Sequence, residues 1–452
     1  MRSVALCLAG IAAGCGSPTN PVSVLDSGVP SDGAPPAEAG SSDGATVDLA
    51  TPPDLSAAVD SATPPDLAIS PDLAIPPDLA PARDLTPPPD LASLVQPGKA
   101  RFLSGPDGLG GPVIDASPDE AGNIWAVSPD ALFVLRAGAA KFRRYTDADG
   151  LHVWSVITAV AGGGPNQGFV GLEGYESDFP DMDTMDEKLL GKAEKVTLNQ
   201  DGTITTLHYD NIHADVSANY WETRSACRLL YVHDGPNAGH LFMGSNHGIT
   251  HIFHDGWGDH IHPEVVWEPD NALRIGLYYG LAIDPVTNGL WACGRDGCGL
   301  QSFNADPRAW VSGKFIYAFT VFSGDHSLQV PHGFEENFVG AAVTPDDTVW
   351  MLSKTYGLAS WNPKEDGAFS YGKIQQVPVP GLGFPIDVAA DTDNTIFVAD
   401  SNQVLKYDPQ SGTATPLPVP SGDVRRLYVD AQSVPRALYV STGGGLWIYR
   451  GQ

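Results

Sequence analysis

The stretch Gly122-Asn123-Ile124-Trp125-Ala126-Val127 (GNIWAV) decides the fold, because its shape returns along the chain. A turn residue leads into one or two apolar positions, then an aromatic, then small or polar residues. The same shape reads Gln167-Gly168-Phe169, His240-Leu241-Phe242 and Gly289-Leu290-Trp291. It reads again as Thr348-Val349-Trp350, Thr395-Ile396-Phe397 and Ala437-Leu438-Tyr439, making seven copies at intervals of 42 to 73 residues. Most copies sit between two apolar runs, such as residues 112–116 before the first and 132–135 after it. These runs are strand-length, rich in Val, Ile, Leu and aromatics, and bounded by Asp, Gly, Pro and Asn. A unit of about 40 to 50 residues built from several strands has the spacing of a β-propeller blade. The expected fold is all-β, a propeller of seven blades.

The two ends of the repeat region suggest how the ring closes. After Trp447 and Tyr449 the sequence stops at Gln452, which leaves the seventh unit with three strands. Residues 99–108 (KARFLSGPDG) resemble residues 141–150 (KFRRYTDADG), the fourth strand of the first unit, and a Leu follows each as Leu109 and Leu151. Pairing this N-terminal strand with the last blade would close the circle and leave no open edge to aggregate. An open β-sandwich with coincidental similarity at its ends is the competing reading.

Ahead of the repeats, the chain reads as an export signal and a spacer. Arg2 gives a positive start, residues 4–13 are almost wholly apolar, and Ala13-Gly14 precede Cys15. The apolar run is too short to span a bilayer as a helix. The small-small-Cys ending resembles the bacterial lipobox, with Ala12 where Leu is usual, and the resemblance implies lipidation of Cys15 after cleavage at residues 1–15. An ordinary secretory peptide remains the alternative. Residues 16–98 carry Asp48, Asp54, Asp60, Asp66, Asp72, Asp78, Asp84 and Asp90 at a constant spacing of six, mostly within Pro-Asp-Leu-Ala. Frequent Pro fixes φ and removes amide donors, so neither helix nor sheet is expected. Such a tether is PPII-like and reaches about 250 Å at most. A docking motif repeated for avidity is the rival reading of this segment. The propeller is expected over residues 99–452, with no further domain.

Charge narrows the partners. The chain carries 25 basic and 54 acidic side chains, a net charge of −29, and residues 99–452 alone hold 42 acidic against 23 basic. Nucleic-acid binding needs a basic footprint and is excluded on this ground. The membrane would be met through the N-terminal lipid only. The expected partners are a glycan, a peptide or an envelope protein, recognised by a monomer.

Five cysteines are present, and Cys7 lies in the signal. Cys293 and Cys298 flank a tight turn between two strands of the fourth blade, and an exported compartment would oxidise cysteines facing each other there. Two free thiols are the alternative. Cys227 is left over and reads as a small buried residue.

Propellers place ligand sites at one mouth of the central channel, on the turns between second and third strands and the loops leading into the inner strands. The repeat locates those turns and puts Glu173, Asn246, His247, Arg295, Asp296, Lys354 and Tyr356 on them. The incoming loops add aromatics, among them Trp221 and Phe384. Aromatic walls with a few charges suit a neutral or weakly anionic ligand such as a glycan or peptide. Solvated turns around a water-filled channel are the plainer reading.

Two patterns suggest a metal. His260-Ile-His262 puts two imidazoles on one side of a strand, and His254 precedes them across a Gly-rich turn. Those three histidines could hold zinc or copper, or they are simply polar residues of an outer strand. Residues 176–187 (ESDFPDMDTMDE) could bind calcium, but they miss the EF-hand spacing and its glycine and read equally as a solvated acidic loop. From residue 99 onward there is no G-x-S-x-G elbow, P-loop, H-E-x-x-H or Rossmann fingerprint.

The stretch 122–127, with its echo Thr348-Val349-Trp350-Met351-Leu352, resembles the repeats of two-component-regulator propellers. It is also similar to those of streptogramin lyase and gluconolactonase-type propellers. The resemblance spans residues 99–452 through a few positions per blade. In the lyase-like and lactonase-like families it implies a divalent metal at the channel mouth, held by carboxylates, Asn or His. Glu173, Asn246 and His247 match that donor set, whereas Arg295 and Lys354 would repel a cation. Regulator-type propellers recognise ligands without chemistry. The expectation is therefore an exported, lipid-anchored, non-catalytic binding module of the cell envelope without a cofactor. A metal-dependent lyase or hydrolase acting at the channel mouth is the alternative.

Overall fold

The computed structural model describes residues 94–152, 156–174, 192–209, 225–245, 249–254, 259–264, 278–295, 297–301, 315–319, 337–362, 374–420 and 422–451. At residues 192, 254, 259–264, 301 and 315–319 it describes the backbone only. The strands form seven sheets of four, each ordered by sequence from first to last strand, except the seventh. The first strands are Asp115–Pro118, Ile157–Gly162, Ala226–Tyr231, Gly280–Ile283, Phe338–Val343, Pro385–Ala390 and Val424–Asp430, defining blades 1 to 7. Each first strand touches the first strand of the next blade, and the seventh touches the first, so the ring is complete. The protein is a seven-bladed β-propeller.

The second strand of every blade begins at the recurring phrase: Ile124–Ser128, Gln167–Leu172, Leu241–Ser245, Leu290–Cys293, Val349–Ser353, Ile396–Asp400 and Ala437–Thr442. Both faces of such a strand are covered by neighbouring blades, and almost every residue in it is buried. That explains why it reads as a continuous apolar run rather than an alternation. Outer strands lie against solvent and alternate, as in Ile204–Tyr209. The residue just before the phrase is left-handed in six copies: Gly122, Asn166, Gly239, Asn288, Asp347 and Asn394. Gly and Asn tolerate that conformation best, and it turns the chain from first to second strand. The buried indoles of Trp125, Trp291 and Trp350 donate to Asp119 (3.0 Å), Asp284 (2.9 Å) and Thr344 (3.1 Å) in the preceding hairpin. The aromatic and the turn polar residue are thus one local unit.

Among the described residues the core divides into seven apolar clusters, one between each pair of adjacent blades. Blade 7 is completed by the N-terminal strand Ala100–Leu103, which pairs antiparallel with Gly445–Arg450, from Ala100 opposite Tyr449 to Leu103 opposite Leu446. The likeness between residues 99–108 and 141–150 extends to conformation. Ser104 and Thr146 each share a capping box with the Asp three residues on, and Gly108 and Gly150 both sit at φ 94°. Arg450 Nη1 donates to Val95 O (3.1 Å), fastening the segment before that strand to the last one.

Candidate functional site

The turns between second and third strands share one face of the ring with the segments leading into the first strands. Backbone hydrogen bonds join them across successive blades. Ile157 N donates to Pro129 O (3.0 Å), Tyr278 N to Ser245 O (2.9 Å), Phe338 N to Gly294 O (3.0 Å), Val424 N to Ser401 O (3.1 Å) and Val113 N to Thr442 O (3.0 Å). At these five junctions the turn face is a rim in which one blade braces the next through main-chain bonds, and between blades 2 and 3 the Ser225 hydroxyl accepts from Gly174 N (3.0 Å). On the opposite, hairpin face, the first and second strands of each blade join.

Of the residues expected on the turn face, Glu173 is half-buried and donates its amide to Val156 O (2.8 Å). Arg295 is half-buried, and its carbonyl accepts from Asn337 N (2.7 Å). Lys354 is exposed, and its amide donates to Asn337 O (2.8 Å). Asn337 therefore clips the Arg295 and Lys354 turns of blades 4 and 5 together. Tyr356 is 44% exposed on the blade 5 turn, and Phe384 is 70% exposed on the segment leading into blade 6. A groove of about 410 Å³ is lined by Tyr356, Leu358, Gln376, Val377, Val379 and Leu382, and Phe384 follows Leu382 by two residues. Elsewhere on the rim, the Ser128 hydroxyl and the Arg144 guanidinium hold the Asp130 carboxyl below its usual range, against partial burial. Trp221, Asn246, His247, Asp296, Cys15 and residues 176–187 lie outside the described residues.

Beneath the rim the channel is crossed by charge that sequence reasoning missed. One position on each first strand pairs with the residue two beyond the recurring aromatic: Asp115, Ala159, Arg228, Gly280, Gly340, Asp387 and Arg426. Three of these are small because the strands converge there. A Cβ on Gly280 would meet the Gly340 carbonyl carbon at 2.7 Å, and one on Gly340 would meet Asp387 Oδ1 at 2.8 Å. The other four carry two opposite pairs of charges. Arg228 Nη1 reaches Asp387 Oδ2 at 2.7 Å, from blade 3 to blade 6, and Arg426 Nη2 reaches Cys227 O at 3.3 Å, from blade 7 to blade 3.

The two carboxylates of this layer are held alike. Asp115 accepts from Ala116 N (3.0 Å) and Val160 N (3.1 Å), and Asp387 accepts from Val388 N (2.9 Å) and Leu427 N (2.9 Å). Each carboxylate therefore ties its own blade to the next. Burial pushes the Asp115 carboxyl up against the opposing charges of Arg426 and Arg228. Burial alone would lower the Arg228 guanidinium, but Asp387 and Asp115 hold it above its usual value. The sequence signal was a charge inside an apolar run: Val-Ile-Asp-Ala at 113–116 and Pro-Ile-Asp-Val at 385–388, Cys-Arg-Leu-Leu at 227–230 and Arg-Arg-Leu-Tyr at 425–428.

The cysteines and histidines fall on blades 3 and 4. Cys293 and Cys298 are register partners, joined as a disulfide with Cα atoms 4.1 Å apart. Cys227 is buried, with Sγ 3.8 Å from Ser225 O. In blade 3, His251 pairs with His262, Phe253 with His260, and His254 with Asp259. Register partners share a face and neighbours along a strand alternate. By register His254 falls in the alternate row to His260 and His262, and the side chains of these three residues lie outside what the structure describes. Among the described residues no group of three His, Cys, Asp or Glu side chains is arranged to hold a metal ion, and no helix is long and apolar enough to cross a membrane.

No protein-family model matches the sequence, and no curated protein matches it. Solved structures do match. The extracellular domain assigned to a hybrid two-component system of B. thetaiotaomicron aligns at TM-score 0.51 and 14% identity, over 79% of this chain and 43% of that one. A second such domain from the same organism aligns at TM-score 0.50 and 12% identity, over 78% of this chain and 42% of that one. A catalytically inactive virginiamycin B lyase from Staphylococcus aureus, solved with quinupristin, aligns at TM-score 0.49 and 11% identity, covering 77% and 98%. The chain thus spans less than half of the two regulator chains, and what it shares with them is the propeller fold.

Proposed function

We propose that this chain is an exported, lipid-anchored propeller that binds a peptide or glycan on its turn face without catalysing a reaction. The observation that carries the reading is the pair Tyr356 and Phe384, exposed on the turn face of adjacent blades, with Tyr356 lining a groove of mixed polarity. Exposed aromatics grouped on one face of a folded domain mark interaction surfaces, because water-facing apolar area is costly unless a partner covers it. The Arg228–Asp387 ion pair crosses the ring below, which favours a ligand resting on the rim. Lys354 adds an exposed cation suited to a weakly anionic partner. The extracellular position of the two regulator domains supports an exported setting, as do the apolar leader and Cys15.

The test uses an array of purified envelope glycans and extended peptides probed with the full chain. Binding should be lost in Tyr356→Ala/Phe384→Ala with the melting temperature unchanged. Binding that persists in that variant would overturn the assigned face. For the anchor, Cys15→Ser should release the protein from the membrane fraction, and unchanged partitioning would refute lipidation.

A further inference from the structure

We propose that the hairpin end of the channel is shut by an acid-released latch, in which His233 of blade 3 engages Tyr428 of blade 7 and Glu120 of blade 1. Blades 6 and 7 stand farthest from blade 3 in a ring of seven, yet the first strands of blades 3 and 7 meet across the channel. From the turn face downward, Arg426 Nη2 donates to Cys227 O (3.3 Å) and Arg228 Nη2 to Leu427 O (3.3 Å). The Tyr428 hydroxyl then lies 3.4 Å from His233 Nε2, and the Gln432 amide donates to the Asp234 carboxylate. Glu120, in the hairpin of blade 1, places Oε1 3.5 Å from His233 Nδ1. The upper contacts are made by guanidinium groups, which stay charged throughout, whereas the lower tier holds an imidazole, the side chain that changes charge between about pH 5 and 8.

The surroundings of His233 oppose a charge on it. Its side chain is 13% exposed, and the Tyr231 ring stands edge-on to it with centroids 4.8 Å apart. The groups facing it are Glu120 from blade 1, Tyr231 and Asp234 from blade 3, and Tyr428 and Asp430 from blade 7. The three carboxylates favour an imidazolium, but burial outweighs them and holds the imidazole below its usual value. Burial also keeps the Tyr428 phenol protonated, so its hydrogen is available to Nε2. A neutral ring accepts that hydrogen at Nε2 and turns its own N–H, at Nδ1, toward Glu120. A proton taken from water at Nε2 makes that nitrogen a donor, so Tyr428 loses its acceptor and the new charge gains by moving into solvent. The closed latch therefore binds the proton more weakly than the open one, whose imidazole titrates near pH 6.5. Below that pH, one-proton linkage raises the ratio of open to closed latch by up to about tenfold per unit. Asp119 titrates in the same window, pushed up to about 6 by burial, but its carboxylate accepts from Asn123 and Trp125 inside blade 1. The Arg228–Asp387 pair keeps the channel crossed nearer the turn face, so release is confined to the hairpin end.

Hydrogen exchange of the full chain, read by mass spectrometry from pH 7 to pH 4.5 and corrected for the intrinsic pH dependence of exchange, tests the latch. Peptides over residues 229–234 and 426–432 should exchange up to about tenfold faster for each pH unit lost. The hairpins of blades 4 to 6, at residues 284–289, 344–348 and 391–395, should not change. His233→Gln, which takes up no proton in this range, should remove the dependence. Glu120→Gln withdraws a charge that favours the imidazolium in the closed latch, so it should extend the rise to lower pH. A purely structural role for either residue would leave the pH profile in place. Melts at pH 7 check that both variants fold, and the wild-type series decides the matter where one does not. Exchange in the wild-type chain that ignores pH would overturn the proposal. So would a dependence that His233→Gln retains in full, or a rise shared equally by the hairpins of blades 4 to 6.

Discussion

The two faces of the ring use exposed apolar residues differently. On the hairpin face the large apolar side chains exposed among the described residues are Val286 at 56% and Val434 at 71%, single aliphatics in two separate hairpins. There Asp284 Oδ1 accepts from Val286 N and Thr287 N, and Asp430 Oδ1 accepts from Gln432 N and Ser433 N, so the hairpin geometry is repeated from blade to blade. On the turn face the large apolar side chains exposed among the described residues are two aromatics on adjacent blades, Tyr356 and Phe384, and Tyr356 lines a groove. The backbone there is braced by main-chain bonds, which leaves side chains free to differ from blade to blade. Where the repeat is strict the residues hold the fold, and where it lapses they are available for recognition.

Substitutions can break this contrast, and the largest effects belong to the scaffold. Asp387→Ala leaves the Arg228 guanidinium buried without its carboxylate and should cost about 3 to 5 kcal/mol in chemical denaturation. Replacing the pair together, as Asp387→Leu/Arg228→Met, should recover most of that loss, and a double variant no better than the single would refute the pairing. Trp291→Ala removes a fully buried indole from a hairpin unit and should cost a similar 3 to 5 kcal/mol.

The two capped turns give a finer comparison within the turn face. Gly108→Ala and Gly150→Ala both force a side chain into left-handed backbone, about 1 to 2 kcal/mol each. A Cβ on Gly108 would also stand 2.5 Å from Phe142 O, whereas one on Gly150 meets nothing within 4 Å. Gly108→Ala should therefore lower the melting temperature more than Gly150→Ala, and equal shifts would contradict the packing.

A smaller effect is expected from pH on the hairpin face. Burial holds the His233 imidazole below its usual value, against the charge of Glu120 at 3.5 Å. As pH falls below about 6.5, the unfolded chain takes up a proton that the folded chain resists, so stability drops. His233→Gln should make that acid-side slope shallower in melts from pH 7 to pH 5. An unchanged slope would show that this imidazole does not contribute to it.

Most of the fold was legible because it repeats. The aromatic of GNIWAV, the left-handed residue ahead of it and the buried strand it opens obey one local rule in nearly every blade, so seven weak signals reinforce one another. The closing strand was legible because residues 99–108 keep both the strand and the capped turn of residues 141–150. Of the candidate site, the turn positions of Glu173, Arg295, Lys354 and Tyr356 followed from the same period. The Asp115, Arg228, Asp387 and Arg426 layer did not, because its partners lie on opposite blades and no local pattern joins them. In blade 3, spacing along one strand groups His260 with His262, whereas only register shows that they stand across from Phe253 and His251.

The most direct measurement compares array binding by three proteins: the full chain, Tyr356→Ala/Phe384→Ala and Val286→Ala/Val434→Ala. Both variants alter exposed side chains and should stay within about 0.5 kcal/mol of the parent in stability. The account requires that the turn-face variant loses binding and the hairpin-face variant keeps it. Loss confined to the hairpin-face variant, or a parent chain that binds nothing on the array, would contradict it.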